Sequence, residues 1–186
     1  MSLALIGPAL LVGIVGAWLS GAVVAYAVGD PGAVMRWSVI VTRIVRDLGA
    51  TMTIGFALVG AFLAPETRRT SRRATATRLA ATSATAWLLA LIASVIADFA
   101  DVSGLAPSQP RFWSQFFGLS WELSLTRMGI ISAVLVAAVI VICSVPRGKT
   151  ALAWCVILGW LALLPQALAG HASVSRDHMS AVNGLA

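Results

Sequence analysis

Long apolar stretches alternate with short polar segments along the whole chain. A membrane-spanning helix requires roughly 20 mostly apolar residues, because about 30 Å of hydrocarbon must be crossed at about 1.5 Å per residue. Five stretches meet this requirement, at residues 3–29, 34–65, 79–98, 126–145 and 150–170. The pattern therefore predicts an all-α integral membrane protein, a single-domain bundle of five transmembrane helices over residues 1–186.

The amino-acid composition indicates the same class. Hydrophobic residues make up 59% of the chain, charged residues only 11%, and the mean hydropathy is +0.92. The first stretch has no charge before Asp30 and no basic start, so we interpret it as a retained span rather than a cleaved signal peptide. The second helix is expected to begin near Ala33 and to be tilted, because it is longer than the hydrocarbon requires.

The basic residues predict the orientation. The segments between spans two and three and between spans four and five contain seven bases and one acid, whereas the opposite side contains six of each. Since cytoplasmic loops are enriched in Lys and Arg, we expect the N-terminus inside and the C-terminal segment outside. The formal charge of +6 is then entirely cytoplasmic, which favours contact with anionic lipid headgroups over nucleic-acid binding.

Three charged residues, Arg43, Arg46 and Asp47, lie in the predicted outer end of span two. A charge in hydrocarbon costs on the order of 2.5 kcal/mol or more on insertion scales unless it is paired or hydrated. The spacing of Arg43 and Asp47 allows them to pair along the helix. Two interpretations remain open: these side chains reach outward to the interface, or they line a polar cavity that opens to the outside.

Two further acids, Asp98 and Asp101, share a helix face at the end of span three and form a predicted outer acidic cluster. They are either solvated helix-end residues or a site that attracts cations. Glu122 and Arg127 lead into span four and are candidate ion-pair partners for the charges already named.

An aromatic segment lies between these two spans. It interleaves polar residues with four large rings, those of Trp113, Phe116, Phe117 and Trp121. Such a pattern is typical of an aromatic belt at the membrane interface, and we expect an outer-leaflet anchor in the form of an interfacial helix.

Two cysteines, Cys143 and Cys155, lie in spans four and five near their predicted cytoplasmic ends. They do not form a CxxC motif, and a structural disulfide there would face the reducing side of the membrane. We interpret them as two small buried apolar residues.

Both histidines, His171 and His178, lie where the fifth apolar stretch ends, with Asp177 and Met179 beside the second. Imidazole and thioether ligands suit copper, and a carboxylate oxygen can complete a site for the oxidised ion. These four residues are therefore candidate metal ligands. The alternative is that the histidines are hydrogen-bonded surface residues at a membrane interface.

Motifs for catalysis are absent from the sequence. There is no HExxH zinc motif, no Ser/His/Asp arrangement, no Gly-rich phosphate loop and no DNA-binding motif. We therefore expect no enzymatic activity, no catalytic or organic-cofactor residues and no nucleic-acid partner.

The histidine stretch resembles a known family. The sequence "LPQALAGHAS" is similar to the Gly-His-Ala segment of the copper resistance D (CopD) family of bacterial inner-membrane proteins. The stretches "RDLGATMTIGFALVGAFLAP" and "LTRMGIISAVLVAAVI" resemble the corresponding helices of actinobacterial members, in which a CopD-like part is commonly joined to a CtaG/caa-type cytochrome c oxidase assembly part. The family pattern continues into a further span, so we expect this chain to be the N-terminal part of a longer protein.

The resemblance implies copper handling at the bacterial cell membrane, by transport or delivery, in the service of cytochrome c oxidase assembly. It implies copper as the ion, His171 as an outer ligand and the other three candidates as secondary ligands. The outer acidic cluster would raise the local cation concentration. A route inward would pass Asp47, Thr51 and Met52 on span two, since intramembrane ionisable groups usually mark a pathway or a paired scaffold.

A second functional class fits the same helices. It is a structural or assembly subunit that is bound laterally to a respiratory complex and holds no metal. The expected partners are the lipid bilayer, a respiratory oxidase or its assembly factors, and, for the copper-handling interpretation, an extracytoplasmic copper protein. Stoichiometric copper would distinguish the two classes.

Overall fold

A computed structural model describes residues 3–21, 23–25, 30–64, 72–144 and 148–169, and all regular structure in these ranges is helical. The first helix, α1, covers Leu3–Leu19, and α2 covers Ala33–Leu58 and continues as a π-helical segment, Val59–Leu63. The remaining helices are α3 (Arg72–Ser103), α4 (Pro110–Leu119), α5 (Ser124–Ser144) and α6 (Lys149–Ala169).

Four helices in the described ranges are long and apolar enough to cross a membrane: Ala33–Leu63, Arg72–Ser103, Ser124–Ser144 and Lys149–Leu168. These agree with the second to fifth predicted spans. The all-α class is confirmed. The second helix begins at Ala33, as expected. The third begins at Arg72, earlier than the apolar stretch, because alanine and arginine favour helix also outside the hydrocarbon.

The first predicted span, residues 3–29, differs from the helix that forms there. α1 ends at Leu19, and Gly21 adopts a positive φ of 73° in the turn that follows. Glycine accepts this conformation without a steric penalty, so the helix stops although the chain remains apolar. The helix has 17 residues and is therefore about 26 Å long, shorter than the hydrocarbon core of about 30 Å. A membrane crossing by this segment stays a prediction.

The four long helices pack as a closed bundle. α2 contacts α3, α3 contacts α5, α5 contacts α6, and α6 returns to α2, while α1 lies against α2 alone among the stronger helix contacts. Small residues allow the close approach: a Cβ at Gly49 would lie 2.9 Å from the Cβ of Trp87. Trp87 is fully buried at the centre of the core, which alanines, valines and both cysteines complete.

The short helix α4 covers the end of the bundle that the C-terminus of α3 reaches. Phe112 is fully buried and meets Phe99 of α3 edge to face, with ring centroids 5.4 Å apart. On the other side of α4, Phe117 is 76% exposed and Trp113 is partly exposed. An amphipathic helix with exposed rings has the character of the predicted interfacial helix.

Candidate functional site

An ion pair joins α2 to α3 near the end of the bundle that α4 covers. The Arg43 guanidinium donates a hydrogen bond from Nη2 to Asp98 Oδ1 at 2.9 Å. The Asp98 side chain is only 8% exposed, whereas that of Arg43 is 50% exposed. The pair therefore fixes a buried carboxylate with a cation that still reaches solvent.

A second ion pair lies one turn further along α2. Arg46 Nε donates to Asp47 Oδ1 at 3.0 Å, and the Asp47 side chain is 67% exposed. The expected pairing of Arg43 with Asp47 along the helix is not formed. Side chains on a helix lean toward its N-terminus, so Arg43 leans away from Asp47 and meets Asp98 on the facing helix instead.

A small polar cavity lies behind these pairs. Its volume is about 30 Å³, and its polar lining is contributed by Arg46, Ser94, Asp98 and Gln166, from three helices. This is enough room for one water molecule, which requires two to four polar partners. The polar-cavity interpretation of span two thus applies to Arg46. We call this part of the bundle the charged end, defined by Arg43, Asp98 and Gln166.

The other predicted charges lie around the charged end. Asp98 is committed to Arg43, so the predicted outer acidic cluster of Asp98 and Asp101 contains one carboxylate whose charge is already compensated. Glu122 and Arg127 form no ion pair with any residue that the structure describes. Their expected pairing with the charges of α2 and α3 is therefore not formed.

The predicted route residues on α2 lie on two different faces. Asp47 and Thr51 line a mainly apolar groove of about 420 Å³ beside Trp160 of α6. Met52 lines a separate groove of about 260 Å³ between α2 and α3, beside Ser83. The structure thus brings Asp47 and Thr51 together and places Met52 apart from them. Their role in a copper route stays a prediction.

The candidate ligands His171, Asp177, His178 and Met179 lie outside the described residues. Within the ranges that the structure does describe, no group of three or more His, Cys, Asp or Glu side chains could hold a metal ion. Metal binding by these four residues therefore stays a prediction.

The two cysteines form a contact that sequence reasoning missed. Cys143 of α5 and Cys155 of α6 are both buried, and their Sγ atoms are 3.4 Å apart. The expectation of burial is confirmed, but they are neighbours rather than separate core residues. The spacing did not single out this contact, because Cys143 lies one residue before the end of α5 and Cys155 lies six residues after the start of α6.

Comparison with known families gives a match over most of the chain. The family described as copper resistance protein D-like, N-terminal domain, matches residues 30–179. The chain belongs to this family. As a copper resistance protein D-like chain with four helices able to span a membrane, it is a multi-pass membrane protein with a copper-related function. The matched residues include α2 to α6, the charged end, both cysteines and both histidines. Comparison with curated proteins and with solved structures gives no match.

Proposed function

We propose that the protein moves copper across the bacterial plasma membrane or delivers it at the outer face, and that cytochrome c oxidase assembly is the process supplied. The observation that carries this proposal is the family match over residues 30–179, which includes the whole four-helix bundle and the histidine stretch. Copper is the cargo in this proposal, and no catalytic step is involved.

The position of α6 supports a metal site next to the charged end. Gln166 lines the polar cavity with Arg46 and Asp98, and α6 ends three residues later at Ala169, just before the histidine stretch. The helix that leads into His171 thus ends beside the charged end. We propose His171 as the first ligand, with His178, Met179 and Asp177 as the secondary ligands, because imidazole, thioether and carboxylate together serve both oxidation states of copper.

The two ion pairs at the charged end leave Asp98 and Asp47 with different exposure to cations. Asp98 is neutralised by Arg43 and positions α2 against α3, so it contributes little to cation attraction. Asp47 is likewise paired, with Arg46, but its carboxylate is 67% exposed and can still meet a cation from solution. We propose that the charged end faces outward, because Arg72 and Arg73 at the N-terminus of α3 and Lys149 at the N-terminus of α6 lie at the opposite end, and basic segments favour the cytoplasm.

A metal-free assembly subunit is the second candidate. The groove beside Asp47 and Trp160 supports it, because this groove is open on the side of the bundle and combines an exposed carboxylate with apolar walls. A neighbouring transmembrane helix from a respiratory complex, bearing one basic residue, would complete such a surface.

Copper stoichiometry tests the proposal. Full-length wild type and His171→Ala are purified in detergent, exposed to limiting Cu(I), cleared of excess ion and analysed for copper per protein. Val174→Ala is the matched control, since it changes the same stretch without removing a donor atom. We expect the wild type and the control to retain more copper per protein than His171→Ala. Negligible copper in all three proteins would overturn copper handling and favour the assembly subunit.

A further inference from the structure

The cysteine contact lies at the end of the bundle opposite the charged end. Cys143 precedes the last residue of α5, and Cys155 lies in the first half of α6. Their Sγ atoms are 3.4 Å apart, and the Cys155 sulfur also lies 3.9 Å from the carbonyl oxygen of Val139. Both side chains are closed off from the surface within the described structure. We call this part of the bundle the thiol end, defined by Cys143 and Cys155.

The thiol end also contains the π-helical segment of the structure. A Cβ at Gly60, within that segment, would lie 2.8 Å from Leu152 Cδ1, and Leu152 precedes Cys155 by one helical turn. A π-helical turn adds a residue to the helix and often occurs at functional sites. The segment therefore brings the backbone of α2 close to the helix face that carries Cys155.

A buried cation lies next to the same segment. Arg73 of α3 is 8% exposed, and its Nε donates a hydrogen bond to the Gly60 carbonyl oxygen at 3.2 Å. A guanidinium cannot be deprotonated in a protein, so it is a permanent positive charge in this part of the core.

We propose that Cys143 and Cys155 form a two-sulfur binding site for Cu(I). Soft thiolate ligands select Cu(I), and the facing helices already hold the two sulfurs side by side. Each thiol releases its proton as its sulfur–copper bond forms, and no electron is transferred. Two thiolates and one Cu⁺ leave one net negative charge on the complex. This inference rests on the proposed copper handling, to which it adds a second site at the opposite end of the bundle.

Two separated sites would suit a protein that passes its cargo across the membrane. α6 ends at Ala169 beside the charged end, and the cysteine pair lies across the bundle, toward the N-terminus of α6. A delivery protein that acts only at the outer face has no use for a ligand pair at the thiol end. The cysteine site therefore favours transport over surface delivery within the proposed function.

Cu(I) titration with X-ray absorption tests the cysteine site. The full chain is loaded with Cu(I) under reducing conditions, and the X-ray absorption spectrum of His171→Ala is recorded so that the first ligand of the histidine stretch does not contribute. We expect sulfur scatterers in that spectrum, and loss of the remaining copper in His171→Ala/Cys143→Ala and His171→Ala/Cys155→Ala. The matched control is His171→Ala/Ser132→Ala, because Ser132 also joins α5 to α6, through a 2.8 Å hydrogen bond to the Ala162 carbonyl oxygen, but has no sulfur.

The outcomes separate the two proposals. If His171→Ala binds no copper while the wild type does, the cysteine site is overturned and copper handling stands. If His171→Ala binds copper with sulfur scatterers and both cysteine variants lose it, the site is established. If copper remains after either cysteine is removed, the inference is wrong. Two sulfur scatterers per copper in His171→Ala, which Met179 alone does not supply, decide the matter even where a cysteine variant fails to fold.

Discussion

Arg43 on α2 and Asp98 on α3 form a hydrogen-bonded ion pair of 2.9 Å in which the anion is buried and the cation is half exposed. The two partners lie 55 residues apart in sequence and on facing helices. Because the two side chains differ in burial, the two halves of the pair do not contribute equally to stability. Removing the cation leaves a buried charge, whereas removing the anion leaves a charge that water can reach.

We expect Arg43→Gln to destabilise the protein more than Asp98→Asn. Loss of the partner of a buried polar group costs about 1–3 kcal/mol, with larger values for charged groups. Asn at position 98 carries no charge and still offers an oxygen to Arg43. The apparent melting temperature in detergent, followed by far-UV circular dichroism, measures the difference. Asp47→Asn is the control, because an exposed ion pair contributes about 0–1 kcal/mol. Equal losses for Arg43→Gln and Asp98→Asn would contradict the asymmetry.

Gly49 allows the close approach of α2 to α3 at Trp87. We expect Gly49→Ala to lower the free energy of unfolding by about 1–3 kcal/mol, the usual cost of overpacking, because the added Cβ would lie 2.9 Å from Trp87 Cβ and 3.0 Å from its Cα. Gly55→Ala on the same helix meets nothing within 4 Å, so it should be neutral or stabilise by up to about 1 kcal/mol through helix propensity. Thermal unfolding of Gly49→Ala and Gly55→Ala measures the difference in their stability. A loss for Gly55→Ala that equals the loss for Gly49→Ala would disprove the role of the contact.

The two faces of α4 should respond differently to truncation. Phe112 is fully buried against Phe99, so we expect Phe112→Ala to cost about 3–5 kcal/mol, as for other buried Phe residues. Phe117 is 76% exposed, and Phe117→Ala should leave the melting temperature in detergent nearly unchanged. The exposed ring should matter in a bilayer instead. Brominated lipid quenches tryptophan fluorescence, so quenching of the fluorescence that Phe117→Trp adds to that of the seven native tryptophans reports the depth of position 117. If the added fluorescence is not quenched, α4 does not lie at the interface.

Asp30 should make the start of α2 sensitive to acid. Hydrogen bonds from the Arg36 guanidinium and the Gly32 N–H hold the pKa of the Asp30 carboxyl below its ordinary value. A carboxyl whose pKa is lowered by folding stabilises the fold above its unfolded pKa, and this contribution is lost as the pH falls through the folded pKa. The melting temperature of wild type should therefore exceed that of Asp30→Asn at neutral pH, and the difference should vanish at acid pH. A difference that is constant with pH would show that the carboxylate charge is not involved.

The lengths of the apolar stretches were sufficient to predict most of the helices. The stretches after Ala33, Leu79, Thr126 and Thr150 were recognised because the hydrocarbon core imposes a minimum length of apolar chain. The same reasoning extended the first helix too far, since hydropathy does not register the turn at Gly21, where the backbone adopts a positive φ in a still apolar segment. Resemblance at "LPQALAGHAS" also identified the family before any geometry was known.

The tertiary structure alone decided which side chains contact each other. Spacing along one helix suggested Arg43 with Asp47, but the facing helix supplied Asp98 as the partner. In the same way, the sequence predicted Cys143 and Cys155 as two separate core residues. Their Sγ atoms are 3.4 Å apart, because α5 and α6 run antiparallel and place them at one level. The sequence by itself determined which segments are helical and apolar, since both depend on local composition. Which side chains meet depends on the rotation and register of packed helices, and these are set by close contacts such as that of Gly49 with Trp87.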